Sequence, residues 1–189
     1  MAHVSAAYLI SQIPVKGKPL TWKEVLLVIL TGVIFDFDIF LPEWLGYPFG
    51  SHHLLFTHTP AMGLIYFAVF WLIFRKRVNP KIWLLVGLAL MSHLVLDDFS
   101  YWLYLLGYQN GSPSPQIFWL YPFDPRQQAV TGKFLELYGN VAKYKDWSDI
   151  FQAFSLRMAK LFWIELGLRL AAIVVLVKKN WKRIIHSRT

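Results

Sequence analysis

Four carboxylates lie inside long apolar runs of this chain, and they constrain its fold more than any other feature. They form two pairs in the sequence, Asp36 with Asp38 and Asp97 with Asp98. A charged side chain inside a membrane span costs about 2.5 to 3.5 kcal/mol on insertion scales, so each one needs a partner or a water-filled cavity. Neither run, 25–41 or 82–106, contains a Lys or Arg. Metal ions or protons are therefore the expected partners.

The apolar runs predict an all-α, polytopic integral membrane protein with about four transmembrane helices. The chain of 189 residues is 56% hydrophobic and 16% charged, which leaves too little polar surface for a soluble domain of this length. We expect a single membrane domain, 1–189, in which residues 124–158 form a polar segment with short interfacial helices. The predicted spans are 25–41, 60–74, 82–106 and 161–177.

Boundary residues delimit two of these helices. Thr59 is a favourable N-cap and Pro60 suits the first helical position, so the second helix is predicted to begin there and to end at Phe74. At about 15 residues this span is short, and we expect it to tilt or to start as a re-entrant segment. Gly107 is expected to end the third helix.

The distribution of basic residues predicts the orientation of the chain. The formal charge of +8 comes from Lys and Arg clusters that flank the apolar runs. Alternating the spans places all of these clusters on one side, which the positive-inside rule assigns to the cytoplasm. We therefore expect an inner (cytoplasmic) membrane protein with both termini cytoplasmic and the polar residues in the outer half of the bilayer. The same clustering argues against a nucleic-acid partner.

The histidines suggest that the intramembrane carboxylates bind metal. The HxxxD spacing of His93 and Asp97 puts both side chains on one helix face, where they can ligate one ion or adjacent ions. Asp98 is rotated about 100° from Asp97, so we expect it to orient a ligand, to accept a proton or to bind a second ion. Because the chain has no cysteine, any metal must be held by nitrogen and oxygen ligands.

Two further pairs have spacings that do not fit one helix face. Either one of Asp36 and Asp38 ligates while the other orients it, or the helix is already unwinding towards Pro42. His53 and His58 are five residues apart in sequence, and a turn before the second helix can fold both imidazoles towards one point. The free N–H groups at that helix start would also favour an anion.

Other charged residues and histidines are expected to lie outside the site. Glu165 and Arg169 have i,i+4 spacing on the last span and should neutralise each other. His3 and His186 are near the ends of the sequence and are expected to be solvated.

The order and spacing of four motifs resemble the YdjM-type family of predicted membrane-bound metal-dependent hydrolases. The motifs are DFD at 36–38, HxxxTHT at 53–59, HLVLD at 93–97 and FWLYPF at 118–123, and the resemblance covers about residues 25–123. Leu54, Thr59 and Phe35 replace residues common in the family, namely Arg, Ser and Pro. His52 is the candidate substitute for the missing Arg.

The resemblance implies a hydrolytic metal centre. Its ligands would hold one to three divalent ions, with zinc as the expected metal: Asp36, Asp38, His53, His58, His93 and Asp97. Asp98 or an unbound carboxylate would accept a proton, and Thr57 would be a supporting hydrogen-bond donor. The family is thought to be distantly similar to zinc-dependent phospholipase C, which implies phosphoester or other ester cleavage. A site within a bilayer implies a lipid or lipid-linked substrate.

Two alternatives stay open from sequence. Buried His and Asp residues also form proton relays and metal pathways, so a transport protein is the main rival; four spans are few for one, although a homo-oligomer could supply more. Polar residues continuing to the cytoplasmic end, with Thr31 and Thr21 as the main candidates, would favour transport. A metal that only joins helices would require a coordinatively closed site.

Overall fold

The computed structural model describes residues 2–15, 18–41, 53, 55–107, 117–123 and 164–179. These residues are mostly helical, which confirms the all-α prediction. The α-helices are α1 (Ala2–Ser11), α2 (Trp22–Val33), α3 (Pro60–Phe74), α4 (Ile82–Asp97), α5 (Phe99–Leu105) and α6 (164–179), and the 3₁₀ helices are Ile34–Phe40 and Phe56–His58.

The first predicted span begins earlier than expected and changes its helix type. Thr21 and Glu24 form a capping box, in which each side chain bonds the other's backbone N–H, so α2 begins at Trp22. After Val33 the chain tightens into the 3₁₀ helix Ile34–Phe40, which contains both aspartates of the DFD motif. The α-helix therefore ends before Pro42, but the chain tightens there and does not unwind as the sequence suggested.

The second predicted span has the boundaries that the sequence indicated. Thr59 is extended and its side chain accepts a hydrogen bond from the backbone N–H of Met62, while Pro60 takes the first helical position. The helix α3 then continues to Phe74. This agreement reflects local chemistry alone, since the N-cap oxygen satisfies a free N–H and proline has none to satisfy.

The third predicted span is interrupted in the structure. Asp98, with φ −91° and ψ 13°, separates α4 from α5, so the run 82–106 is two helices rather than one. Gly107 ends the second of them with a φ of 77°, as predicted from its lack of a side chain. The break turns the chain directly after the HxxxD motif.

Helices α1, α2 and α4 pack against one another around an apolar core, and α3 packs on α4. The closest approach joins Gly32 of α2 to Ala7 of α1, where a Cβ atom added to the glycine would lie 2.4 Å from the alanine Cβ. The same Cβ would lie 3.5 Å from the Cβ of Ala89 on α4. Small residues therefore allow the backbones of α1, α2 and α4 to approach one another about one helical turn before the DFD motif.

Within the described residues, no helix is sufficiently long and apolar to cross a membrane. The predicted last span corresponds to α6, residues 164–179. The predicted polar segment 124–158, residues 108–116 of the predicted interfacial loop, and His52 lie outside the described residues.

Candidate metal centre

Four imidazole rings converge on one carboxylate, that of Asp97 at the end of α4. Its Oδ1 lies 3.1 Å from Nε2 of His3, and its Oδ2 lies 3.5 Å from Nδ1 of His53. The same Oδ2 lies 2.9 Å from Nε2 of His58 and 3.2 Å from Nε2 of His93. The side chain of Asp97 is only 6% exposed. A single buried carboxylate thus lies at the centre of a cluster of four histidines.

Two subsets of this cluster have the spacing of metal ligands. The first subset is His3, Asp36 and His93, and the second is His53, His58 and Asp97. Within each subset the potential ligand atoms all lie within 4.8 Å of one another. Of the predicted metal ligands, five are therefore in one of these subsets, and Asp38 is the exception.

His93 is oriented by a backbone carbonyl. Its Nδ1 lies 2.8 Å from the carbonyl oxygen of Gly32, which can only accept a hydrogen bond, so the proton is assigned to Nδ1. The neutral ring then presents the Nε2 lone pair to Asp36 Oδ1 at 3.6 Å and Asp97 Oδ2 at 3.2 Å. Among the described residues the buried Nε2 atom has no hydrogen-bond partner. Either a proton on Nε2 or a metal ion between Nε2 and the carboxylate oxygens would satisfy this arrangement.

His58 lies between two carboxylates. Its Nδ1 is 3.2 Å from Asp38 Oδ2, and its Nε2 is 2.9 Å from Asp97 Oδ2. A neutral imidazole has one N–H, so it can donate to only one of these oxygens and needs a proton or a metal ion towards the other. Thr57 donates to the same Asp38 oxygen at 2.5 Å. This arrangement of carboxylate, histidine and ligand site is typical of metal centres, with Asp38 orienting His58.

The 3₁₀ helix divides the roles of the two aspartates in the DFD motif. Asp38 is buried and contacts His58, whereas the side chain of Asp36 is 44% exposed and contacts His93. Residues two apart point to different sides of a helix, so one motif reaches both subsets of the cluster. The structure thus brings Asp38 to a histidine and not to Asp36, and which of the two aspartates ligates a metal ion stays a prediction.

The donor set and its spacing suit a divalent ion. Two ligand atoms on one tetrahedral zinc ion are roughly 3.4 Å apart, given zinc–nitrogen and zinc–oxygen bonds of about 2.0 to 2.1 Å. The separations between imidazole nitrogens and carboxylate oxygens here run from 2.9 to 3.6 Å. Phe35 is wholly buried and packs on the rings of His58 and His93, which shields the cluster from the apolar side.

The expectation that His3 is solvated is wrong. Its ring stacks on that of His93, with 3.8 Å between centroids, and its side chain is only 14% exposed. The sequence did contain a signal. Small residues recur at Ala2, Ala6 and Ala7, as in a helix packed closely on another, and His3 shares a helix face with Ala7 through i,i+4 spacing. A histidine on a closely packed face is placed to enter the protein interior.

Asp98 lies outside both ligand subsets and instead forms hydrogen bonds with the segment 117–119. Its carboxylate accepts a hydrogen bond of 2.6 Å from the Trp119 indole and bonds of 3.3 and 3.4 Å from the backbone N–H of Ile117. The residue is 1% exposed. These contacts favour an anchoring role for Asp98, joining the FWLYPF segment to the break after α4; its predicted role as proton acceptor stays a prediction.

Asp98→Ala is expected to lower stability and to leave metal binding intact. The change removes the carboxylate that accepts hydrogen bonds from the N–H groups of Ile117 and Trp119, which should lower the free energy of unfolding by about 1 to 3 kcal/mol. Thermal unfolding and metal content of the purified protein would test this, with Trp119→Phe as the matched variant that removes the donor instead of the acceptor. Normal stability of Asp98→Ala together with loss of metal or of activity would instead support the role predicted from sequence.

Comparison with known proteins bears on the identity of the whole chain. No curated protein and no solved structure matches it. The distant similarity to zinc-dependent phospholipase C therefore stays a prediction. The model of one family, described as YdjM inner membrane protein, matches residues 1–182, a wider region than the motifs at 25–123 and one that includes His3. The chain belongs to the YdjM inner membrane protein family.

Proposed function

We propose that this chain is a metal-dependent hydrolase embedded in the inner membrane, acting on a phosphoester or other ester bond of a lipid or lipid-linked substrate. The observation that carries the proposal is the pair of contacts made by the two ring nitrogens of His93. Its Nδ1 is engaged by the carbonyl of Gly32, and its Nε2 faces two carboxylates. A divalent ion, with zinc as the leading candidate, satisfies this arrangement.

The residues around the cluster support hydrolysis more than a purely structural ion. A bound divalent ion supplies Lewis acidity and lowers the pKa of a coordinated water towards neutrality. The chain keeps His93 and His58 in fixed orientations through Gly32 and Asp38. Asp36 is the most accessible carboxylate of the cluster, with its side chain 44% exposed. A site open on one side leaves room for a substrate.

Two exposed aromatic residues adjacent in sequence to residues of the cluster support a lipid substrate. Phe37, between the two aspartates, is 68% exposed, and Phe56, beside Thr57 and His58, is 50% exposed. Both rings flank the residues of the cluster and have no polar function there. Exposed aromatic side chains next to a polar site suit a substrate with an acyl or isoprenoid chain attached to a reactive headgroup.

The membrane placement proposed here extends the family description. Helix α3 contains no charged residue over Pro60–Phe74, and its exposed side chains include Leu64, Ile65 and Leu72. Helix α2 rises by about 18 Å and the 3₁₀ helix after it by about 14 Å, and together they would approach the thickness of the hydrocarbon core if they run in one direction. We propose a multi-pass topology with four spans, a cytoplasmic C-terminus and the cluster towards the outer half, where broken helices line the polar site. Because His3 contacts Asp97, the start of α1 lies at the depth of the cluster, and the cytoplasmic N-terminus expected from the sequence does not fit this placement.

A transport function is less well supported. The candidates for a polar path were Thr31 and Thr21, but Thr31 Oγ1 donates to the carbonyl of Val28 and Thr21 caps α2. Thr31 is fully buried, and the described core of α2 and α4 is apolar, including Leu27, Leu85 and Val86. A proton or metal ion leaving the cluster in this direction would cross a dry layer, which is costly.

The test is hydrolysis by the full chain in nanodiscs. The protein is stripped with a chelator, reloaded with zinc, manganese or iron, and incubated with vesicles of neutral and anionic phospholipids, with products followed by mass spectrometry. Release of headgroup or fatty acid only after reloading is the expected result. A folded protein that binds none of these metals would overturn the proposal. Metal-dependent proton or zinc flux across vesicles, without hydrolysis, would favour transport.

A further inference from the structure

We propose that His3 is a ligand in a two-ion centre, in which His3, Asp36 and His93 hold one ion, His53 and His58 hold the other, and Asp97 bridges them. The proposal rests on the metal requirement of the proposed function and adds the number of ions and the part played by α1. None of the four motifs that resemble the family includes position 3.

The first step is the position of the His3 ring. Its Nε2 lies 3.1 Å from Asp97 Oδ1, while His53, His58 and His93 contact the other oxygen, Oδ2. Oδ1 therefore faces His3 of the first set, while Oδ2 is shared by His93 of the first set and by both histidines of the second. Stacking on His93 keeps the two rings 21° from parallel, so that both can present Nε2 to the same region.

The second step is the shared carboxylate. Both ligand subsets include three residues, and Asp97 contacts members of each. Two-ion hydrolytic centres have ions roughly 3.5 to 4 Å apart, a distance that a carboxylate spans with its two oxygens. With a single ion, one subset would need protonated histidines to balance its carboxylate oxygens, whereas two ions would serve both subsets.

The third step is the rigidity of α1. Ala7 is fully buried against Gly32, and Ala2 and Ala6 are at most 8% exposed. The hydroxyl of Ser11 bonds the carbonyl of Tyr8, and Gln12 accepts a hydrogen bond from Lys179 on α6. His3 is therefore presented by a packed helix, which gives it the fixed geometry that a metal ligand needs.

The absence of cysteine allows a test in which a signal is gained. A His3→Cys variant of the full chain, purified in detergent and loaded with cobalt(II), places the only thiol of the protein at the first ion site. We expect a thiolate-to-cobalt charge-transfer band that is missing in wild type and in Val4→Cys, whose position on α1 is adjacent and 47% exposed. Metal content is measured in parallel on wild type, His3→Ala, His53→Ala and Val4→Ala, with folding checked by circular dichroism.

The outcomes separate this proposal from the proposed function. We expect about two ions per chain in wild type and in Val4→Ala, and about one in each of His3→Ala and His53→Ala. If His3→Ala fails to fold, the charge-transfer band in folded His3→Cys decides. A His3→Ala variant that keeps its full metal content, or a wild type with one ion, overturns the two-ion centre and leaves the hydrolase standing. A folded wild type without metal overturns both.

Discussion

Asp97→Asn is expected to weaken metal binding by more than about 100-fold, because losing even a residue that only orients a ligand commonly costs 10 to 100-fold. The carboxylate of Asp97 contacts all four histidines of the cluster. An amide keeps its shape but removes the negative charge and turns one acceptor oxygen into a donor, which would face imidazole nitrogens. Hydrolysis should fall with the metal.

Competition with a chelator of known affinity, followed by mass spectrometry of bound metal, measures this loss. The matched control is Glu165→Gln, the same chemical change at a carboxylate that pairs with Arg169 on α6. The control should bind metal as wild type does. Retention of wild-type affinity by a folded Asp97→Asn protein would contradict the metal centre described above.

Gly32→Ala is expected to destabilise the fold by about 1 to 3 kcal/mol, even though alanine is normally favoured in helices by about 1 kcal/mol. The new Cβ would lie 2.4 Å from Ala7 Cβ, a distance that real Cβ atoms essentially never adopt. Helix α1 must move away, and His3 moves with it. The carbonyl of Gly32 also positions His93, so metal content should fall as well.

Chemical unfolding and metal content of this variant would be compared with those of Gly87→Ala. That glycine lies in α4, and a Cβ there would meet only Phe67 at 3.8 Å, an ordinary contact, so its replacement should be neutral or stabilising. The double variant Gly32→Ala with Ala7→Gly restores the space and should recover metal binding. Equal free energies of unfolding for Gly32→Ala and Gly87→Ala would show that the close approach of α1 to α2 does not determine the stability of the fold.

The sequence predicted those features that depend on neighbouring residues. The start of α3 follows from the N-cap oxygen of Thr59 and the missing N–H of Pro60. The HxxxD pair meets on one face of α4 because His93 and Asp97 are one turn apart. The turn that brings His53 and His58 together, with 4.7 Å between ring centroids, was also anticipated as a consequence of the helix start.

Two features that depend on distant packing were not predicted. The role of His3 requires α1 to approach α2, which depends on the pairing of Ala7 with Gly32, two residues that are remote in sequence. The position of Asp98 depends in the same way on Trp119. The apolar run that contains Asp98 continues on both sides of it, so periodicity alone indicated one helix where the chain forms two.

The hydrogen bond between His93 and Gly32 bears on the order in which the protein assembles. It joins residues 61 positions apart, whereas His58 and Asp38 are 20 apart. During synthesis the inner pair can therefore meet before α4 exists, while Asp36 and His3 must wait for the ring of His93. Contacts of such long range form late, because chain closure has to precede them. Metal loading should accordingly report completed tertiary assembly rather than helix formation.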